Sequence, residues 1–206
     1  MLPHVVLIGD SIRLAYQPLV ADLLNHCASV VGPADNCETS AKILANLDEW
    51  VVRHQPDIVH INCGLHDLKR LPNAADCLVP LNEYRHNLES IFTILQRHTS
   101  AKIIWATITP VDEVRHQAWK TFLRKKADVD AYNTIGCEVA RSFGVRINDL
   151  HAIPQHTDLG RLLHRDGVHF GPEGTRLLAK GVATMLDSEL AELAPRRQHI
   201  PKGDLL

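Results

Sequence analysis

Short apolar runs alternate along the chain with longer segments in which apolar residues recur every three or four positions. The short runs predict strands, at residues 5–8, 29–31, 57–62, 102–108 and 145–148. The longer segments predict helices with one apolar face, at about 12–26, 40–54, 81–95, 129–143 and 174–192. Most of the strands are apolar on both faces, as in a sheet covered by helices on two sides. The alternation therefore predicts a three-layer α/β/α sandwich around a doubly wound, parallel five-stranded sheet.

The 206 residues suit one domain with a sizeable core, which we expect to span residues 1–193. The polar, proline-punctuated residues 194–206 predict a loosely ordered tail. A long connection at 110–128 carries Trp119, Phe122 and a basic run. Insertions after a parallel strand often contact substrate, but this one is equally compatible with a solvated helical excursion.

Charge, cysteine content and short motifs argue against several classes of function. A net charge of −2 gives no electrostatic sign of a nucleic acid or membrane partner. The chain has five cysteines and no C-x-x-C pair, which favours a reducing compartment over a disulfide framework. The first residues lack the basic region of a signal peptide, so we expect a cytoplasmic protein. No glycine-rich phosphate loop occurs, and no cofactor is predicted. The oligomeric state cannot be inferred from the sequence.

Catalytic or binding groups of a doubly wound sheet collect beyond the carboxyl ends of its strands. Gly9, Asp10 and Ser11 follow the first strand and precede the first helix. Asp and Ser at this place are ordinary helix caps. A serine there is also well placed as a nucleophile, because a helix N-terminus favours developing negative charge. Such a nucleophile needs a base.

Asp166 and His169 lie three residues apart in a turn before the last helix. The spacing lets the carboxylate bind the histidine Nδ1–H and leaves Nε2 outward as a general base. The alternative is that both residues only cap the helix. His66 and Asp67, after the third strand, are open to three interpretations: a base and its orienting carboxylate, metal ligands, or an ordinary loop. No H-E-x-x-H pattern supports a metal, and none is predicted.

Taken in order, "GDSI", the "GLHD" turn after the third strand and "DGVH" before the last helix resemble the SGNH, or GDSL-type, hydrolases. The resemblance runs from Val5 to about Val182. It implies a flavodoxin-like sandwich and a serine esterase with Ser11 as nucleophile, His169 as base and Asp166 as the group that orients His169. It also implies a small-molecule ester substrate, for which we expect short acyl groups on a polar scaffold such as a sugar.

The family's oxyanion hole uses the serine amide, a glycine amide after the second strand and an asparagine side chain after the third. This chain departs from the pattern twice. Cys37 occupies the glycine position, or Asn36 if the alignment shifts by one residue. His66 replaces the asparagine, and we expect it to act as a neutral N–H donor whose tautomer is held by Asp67 or another acceptor.

Four residues are candidates for lining the substrate site: Asp10, Arg13, Asn36 and Thr109. Arg13 either faces the cleft or faces solvent from the first helix. A cysteine nucleophile at Cys37 is disfavoured because Ser11 already has a candidate base.

Two other classes of protein remain in view. A phosphoacceptor receiver domain shares the architecture but lacks the lysine expected after the fifth strand, where Asn148 and Asp149 stand. A non-enzymatic or catalytically weakened relative is the stronger alternative, because two oxyanion donors are altered.

Overall fold

The computed structural model describes residues 2–197, apart from the side chains of residues 155, 156 and 194–197. The strands are β1 (His4–Ile8), β2 (Ser29–Val31), β3 (Ile58–Ile61), β4 (Lys102–Ala106) and β5 (Arg146–Asn148). The α-helices are α1 (Ser11–Leu24), α2 (Ser40–Trp50), α3 (Leu81–His98), α4 (Glu113–Trp119), α5 (Lys126–Ser142), α6 (Leu159–Leu162) and α7 (Pro172–Arg197). Short 3₁₀ helices occur at Val52–His54 and Ile153–His156.

The five strands form one parallel sheet in the order β2-β1-β3-β4-β5. Val5 of β1 lies between Val30 of β2 and Ile58 of β3, which fixes the register of the central strands. Helix α1 packs against α7, and α3 packs between α2 and α5. The predicted α/β/α sandwich is confirmed. The strand order reverses between β1 and β3, so a crevice opens where these two strands end.

The core lies on both faces of the sheet. All four residues of β3 are buried, as expected of a parallel strand covered by helices on two sides. Trp105 of β4 is fully buried and meets Phe92 edge-to-face, with ring centroids 6.2 Å apart. Gly136 lets α5 approach the indole closely, since a Cβ there would lie 2.8 Å from Trp105 Cζ2. Two of the buried strand residues are polar, His60 of β3 and Asn148 of β5. His60 lies 3.1 Å from the Asn148 amide, and burial lowers its pKa to about 4.

The structure differs from the predicted elements mainly outside the sheet. The 110–128 connection contains α4, which agrees with the helical alternative considered for it, although the sequence did not give its bounds. Its apolar residues Val114 and Trp119 are exposed and form no core-facing stripe. Helix α7 continues to Arg197, so the first four residues of the predicted tail are helical. The rest of that tail, 198–206, lies outside the described residues. In the part of the chain that the structure describes, no helix combines the length and apolar character needed to span a bilayer.

Candidate active site

Ser11 is the first residue of α1, directly after the turn that follows β1. Asp10 is the N-cap, and its Oδ1 accepts the Ile12 amide at 2.9 Å. The predicted cap is therefore present, and Asp10 rather than Ser11 provides it. The Ser11 hydroxyl is left for another partner, and its amide has no hydrogen-bond acceptor among the described residues. That amide belongs to the first turn of the helix, where donors are free to bind an anion.

His169 and Asp166 form a compact turn before α7. Asp166 Oδ1 accepts the backbone amides of Val168 and His169 at 3.1 and 3.0 Å. Its Oδ2 lies 2.5 Å from His169 Nδ1. Gly167 has a φ of 70°, a conformation that glycine adopts without strain. The turn therefore fixes both the carboxylate and the imidazole.

The structure brings Ser11, His169 and Asp166 together in one chain of hydrogen bonds. Ser11 Oγ lies 2.9 Å from His169 Nε2, although the two residues are 158 positions apart in the sequence. Burial raises the pKa of Asp166, but the hydrogen bonds from the His169 ring and from the Val168 and His169 amides outweigh burial and lower it to about 2. An ionised Asp166 accepts a proton-bearing Nδ1, which leaves Nε2 to accept the Ser11 hydroxyl.

His66 lies at the same edge of the sheet, after a turn that starts with Gly64 at a φ of 137°. The ring is half-buried, lines the cleft beside Ser11 and has no hydrogen-bond partner among the described residues. Burial lowers the pKa of His66; the nearby Arg124 charge lowers it further, whereas Asp10 raises it. The imidazole is therefore neutral at pH 7, and one of its nitrogens carries a proton.

Asp67 does not hold the His66 ring, which corrects one of our expectations. Its carboxylate is fully buried and turns away to accept the amide and the hydroxyl of Ser40, at the start of α2. Burial raises the pKa of Asp67 to about 6, although the Ser40 hydrogen bonds oppose that effect. Asp67 therefore fixes the loop to α2 and leaves His66 to the cleft.

Cys37 is not the oxyanion donor that the motif alignment suggested. Its amide donates to the Gly9 carbonyl at 3.2 Å, so it is unavailable to a substrate. The thiol is fully buried, and burial raises its pKa. The neighbouring Asn36 lines the cleft instead. Its Oδ1 accepts the Glu38 amide at 2.9 Å, which orients the side-chain amide and leaves Nδ2 without a partner among the described residues.

Arg13 neither faces solvent nor lines the cleft, so both expectations for it were wrong. It is fully buried and donates to three backbone carbonyls that neighbour the nucleophile turn: Gly9, Pro33 and Asp35. These carbonyls lack strand partners, and the guanidinium supplies donors to all of them. Thr109 is buried as well and is not among the residues lining the cleft. Asp10 does line it.

The cleft has a volume of about 230 Å³. Much of the remaining lining comes from the 110–128 connection, for which the sequence left a role in substrate contact open without naming site residues. Four of its residues line the cleft: His116, Lys120, Phe122 and Arg124. The aromatic and basic residues of that connection were the available signal. Their positions depend on the chain folding back over the sheet edge, which no local pattern encodes.

We call residues 112–124 the cover segment, because they bridge the two loops that carry His66 and His169. On the His66 side, Leu123 pairs with Arg70 in an antiparallel bridge, and Arg124 Nε donates to the Leu65 carbonyl at 2.6 Å. On the His169 side, the Asp112 amide donates to Gly167 at 2.8 Å. His116 Nδ1 lies 3.1 Å from the Asp166 carbonyl. The cover segment thus joins the two walls of the cleft.

No metal centre emerges from these residues. Within the described part of the chain, no three His, Cys, Asp or Glu side chains are grouped so that they could hold an ion. The metal-ligand interpretation of His66 and Asp67 has no structural support, since Asp67 faces Ser40.

Comparison with known proteins defines the class. The model of the GDSL-like lipase/acylhydrolase family matches residues 8–177, and the chain belongs to that family. The protein is therefore an ester hydrolase, and the receiver-domain alternative no longer applies. The comparison with curated proteins gives no match.

Solved structures agree in fold. A lipase/acylhydrolase from Enterococcus faecalis is 22% identical, with 91% of this chain and 97% of that chain covered and a TM-score of 0.76. The acetyl xylan esterase AlAXEase is 18% identical, with 89% and 99% covered and a TM-score of 0.74. An acetylxylan esterase from Geobacillus stearothermophilus is 19% identical, with 88% and 93% covered and a TM-score of 0.69. At these identities the likeness establishes the shared fold.

Proposed function

We propose that the protein is a serine esterase in which Ser11 is the nucleophile, His169 the general base and Asp166 the group that orients the base. The observation that carries the proposal is the hydrogen-bonded chain from Asp166 through His169 to Ser11 Oγ. A nucleophile, a base and an orienting carboxylate in this order are the parts that acyl transfer requires.

In the proposed reaction, Ser11 Oγ attacks the ester carbonyl carbon while its proton passes to His169 Nε2. The tetrahedral intermediate collapses as the C–O bond to the alcohol breaks and His169 returns the proton to the leaving oxygen. A water molecule, deprotonated by the same nitrogen, then attacks the acyl-Ser11 carbonyl carbon and forms a second tetrahedral intermediate. This intermediate collapses as the bond between the acyl carbon and Ser11 Oγ breaks and His169 returns the proton to Oγ. The carboxylic acid leaves and loses its proton to solvent. Asp166 stays ionised throughout and stabilises the imidazolium that forms in each step.

The negative charge of the intermediate needs hydrogen-bond donors where the carbonyl oxygen lies. We propose the free Ser11 amide, the neutral His66 ring and the Asn36 side-chain amide. All three residues line the cleft, and none of these groups is engaged elsewhere among the described residues. A neutral His66 suits this task, because a charged one would oppose protonation of His169 in the same step.

The substrate we propose has a short acyl group. At roughly 30 Å³ per water-sized group, a cleft of about 230 Å³ holds about eight such groups, enough for an acetyl ester and the start of its alcohol. Leu65, Phe122 and Val168 give the cleft apolar contacts, which suit a small methyl-bearing acyl group. Two of the structures similar in fold are acetyl xylan esterases, which favours an acetylated carbohydrate as the alcohol.

Hydrolysis of 4-nitrophenyl acetate by wild type and single variants tests the proposal. We expect Ser11→Ala and His169→Ala to abolish measurable turnover, and Asp166→Asn to lower kcat by about 10⁴-fold by allowing the wrong tautomer. Ser188→Ala, which removes an exposed hydroxyl from α7, is the matched control and should behave as wild type. Hydrolysis that survives Ser11→Ala would contradict the mechanism. Absence of turnover in wild type would contradict the proposed activity on short acyl esters.

A further inference from the structure

Arg124 is a buried cation that the proposed reaction does not use. It is 6% exposed and lines the cleft. Its Nε donates to the Leu65 carbonyl at 2.6 Å, which uses one of the five N–H groups of a guanidinium. Its other N–H groups have no hydrogen-bond partner within the described residues. No Arg124 nitrogen is among the fully buried, unpaired side-chain atoms of the described residues. The free N–H groups therefore keep contact with solvent in the cleft, where a ligand can accept from them.

Within the described residues, no carboxylate forms an ion pair with Arg124. Asp10 and Asp166 lie near enough to raise its pKa, although burial has the larger, lowering effect. Neither forms an ion pair with it, and no other acidic residue of the described chain does so. Asp166 is committed to His169, and Asp10 caps α1. A guanidinium keeps its charge under these conditions. The cleft therefore holds an unpaired positive charge close to the reacting groups.

The surroundings of Arg124 add positive charge. Lys120 lines the same cleft, and Lys69 Nζ lies 4.1 Å from the centre of the Phe122 ring, on which Arg124 also packs at 5.1 Å. The His116 imidazole on this wall is neutral. His116 donates through Nδ1 to the Asp166 carbonyl, and burial lowers its pKa. The wall formed by the cover segment is thus cationic, although the whole protein carries a net charge of −2.

We propose that Arg124 is a specificity-determining residue that binds an anionic group, a carboxylate or phosphate, carried by the ester substrate near its scissile bond. The inference rests on the proposed esterase function and refines its substrate class. A planar guanidinium with free N–H groups matches the geometry of a carboxylate or phosphate. Lys120 contributes less, because it is exposed and solvent screens its charge.

Two matched pairs of esters test the proposal and locate the anion. 4-Acetoxybenzoate and its methyl ester differ by a charge on the alcohol side. The mono-4-nitrophenyl ester of succinic acid and its methyl ester differ by a charge on the acyl side. Rates are corrected for uncatalysed hydrolysis. A hydrogen bond to a charged group contributes about 1.5–3 kcal/mol, and each 1.36 kcal/mol is tenfold in rate. Wild type should therefore favour the charged member of one pair by about 10- to 160-fold in kcat/KM.

Arg124→Gln should reduce that preference to near unity, and Arg124→Lys should retain part of it. The ratio within a pair matters more than either rate, because loss of the Leu65 contact affects both members alike. The matched control is Arg161→Gln, which removes an exposed cation paired with Glu173; it should keep the wild-type ratio. Equal rates within both pairs in wild type, or an unchanged preference in Arg124→Gln, would overturn the proposal.

Calorimetric titration of wild type with benzoate and with benzamide tests the anion site without turnover or any variant. We expect benzoate to bind at least tenfold more tightly. Equal affinities would refute the anion site even if esterase activity were established. Conversely, benzoate selectivity in a protein whose 4-nitrophenyl acetate hydrolysis did not depend on Ser11 would retain the anion site and refute the catalytic proposal.

Discussion

Replacing His66 with alanine is the most informative single change, because it removes the donor that departs from the family pattern. Loss of one oxyanion donor costs about 2.7–4 kcal/mol, or 10²- to 10³-fold in kcat. We expect a loss in the upper half of that range. The ring N–H has no competing partner among the described residues. The Cys37 amide is bound to the Gly9 carbonyl, so it cannot replace the lost donor.

Steady-state kinetics on 4-nitrophenyl acetate separates this role from substrate binding. Because the hydrogen bond strengthens only as charge develops on oxygen, kcat should fall while KM stays within about threefold. His66→Asn returns a neutral donor and should recover much of the loss. His164→Ala, which removes an exposed histidine from the loop carrying His169, should have no effect.

The pH dependence adds an independent criterion. Burial lowers the pKa of His66 below its usual value of 6.5, so the ring is predominantly neutral at pH 7.5 and above. The ratio of wild-type to His66→Asn activity should therefore be constant from pH 7.5 to 9. A ratio that declined with rising pH would mean that a charged imidazole carries the effect. Wild-type activity in His66→Ala, with Ser11→Ala inactive, would refute the oxyanion role alone.

Three further predictions concern stability and reactivity. The pKa of Asp67 is about 6 in the folded protein and near 3.8 when unfolded, so the folded state binds more protons between these values and stability falls as pH rises through that window. At 1.36 kcal/mol per pKa unit, the full decline is about 3 kcal/mol, of which about 2.4 kcal/mol falls between pH 4 and 7. Asp67→Asn should remove that decline. Urea unfolding at pH 4 and 7 measures it, and an unchanged decline would contradict the assignment. In Gly64→Ala, the new Cβ would lie 2.1 Å from Ile108 Cδ1, at a φ of 137°. This variant should lower Tm clearly more than Gly144→Ala, whose Cβ would meet no atom within 4 Å. Equal losses of Tm in the two variants would refute the clash. Iodoacetamide should leave native activity intact and Cys37 unmodified by mass spectrometry, because the thiol is fully buried; rapid labelling with inactivation would revive a cysteine nucleophile.

The sequence predicted the sheet well because the apolar runs of a parallel sheet are continuous and bounded by turns. Ile58–Ile61 is one such run, and it is buried throughout. The strand ends then restricted the candidate chemistry to a few turns, and the structure brings Ser11, Asp166 and His169 together as those turns suggested. Their roles in catalysis stay predictions until the variants are measured.

The residues that sequence reasoning misplaced are those whose environment depends on tertiary packing. Arg13 lies on a helix in a position that a polar residue often occupies at the surface, yet the chain at Pro33 and Asp35 folds over it and supplies carbonyl acceptors. The motif alignment assigned the Cys37 amide as an oxyanion donor, but in the structure this N–H points to the Gly9 carbonyl and donates a hydrogen bond to it. Arg124 enters the cleft because of the pairing between Leu123 and Arg70, which joins residues more than fifty positions apart.

The cover segment also has a consequence for how substrate preference can change. One uninterrupted stretch, residues 112–124, contributes His116, Lys120, Phe122 and Arg124 to the cleft and contributes nothing to the sheet. Substrate preference can therefore change by replacement of this one segment, without moving the nucleophile or its base. A graft would need to retain the backbone junctions with Arg70 and Gly167. Directed evolution confined to residues 112–124 should therefore be sufficient to change ester selectivity.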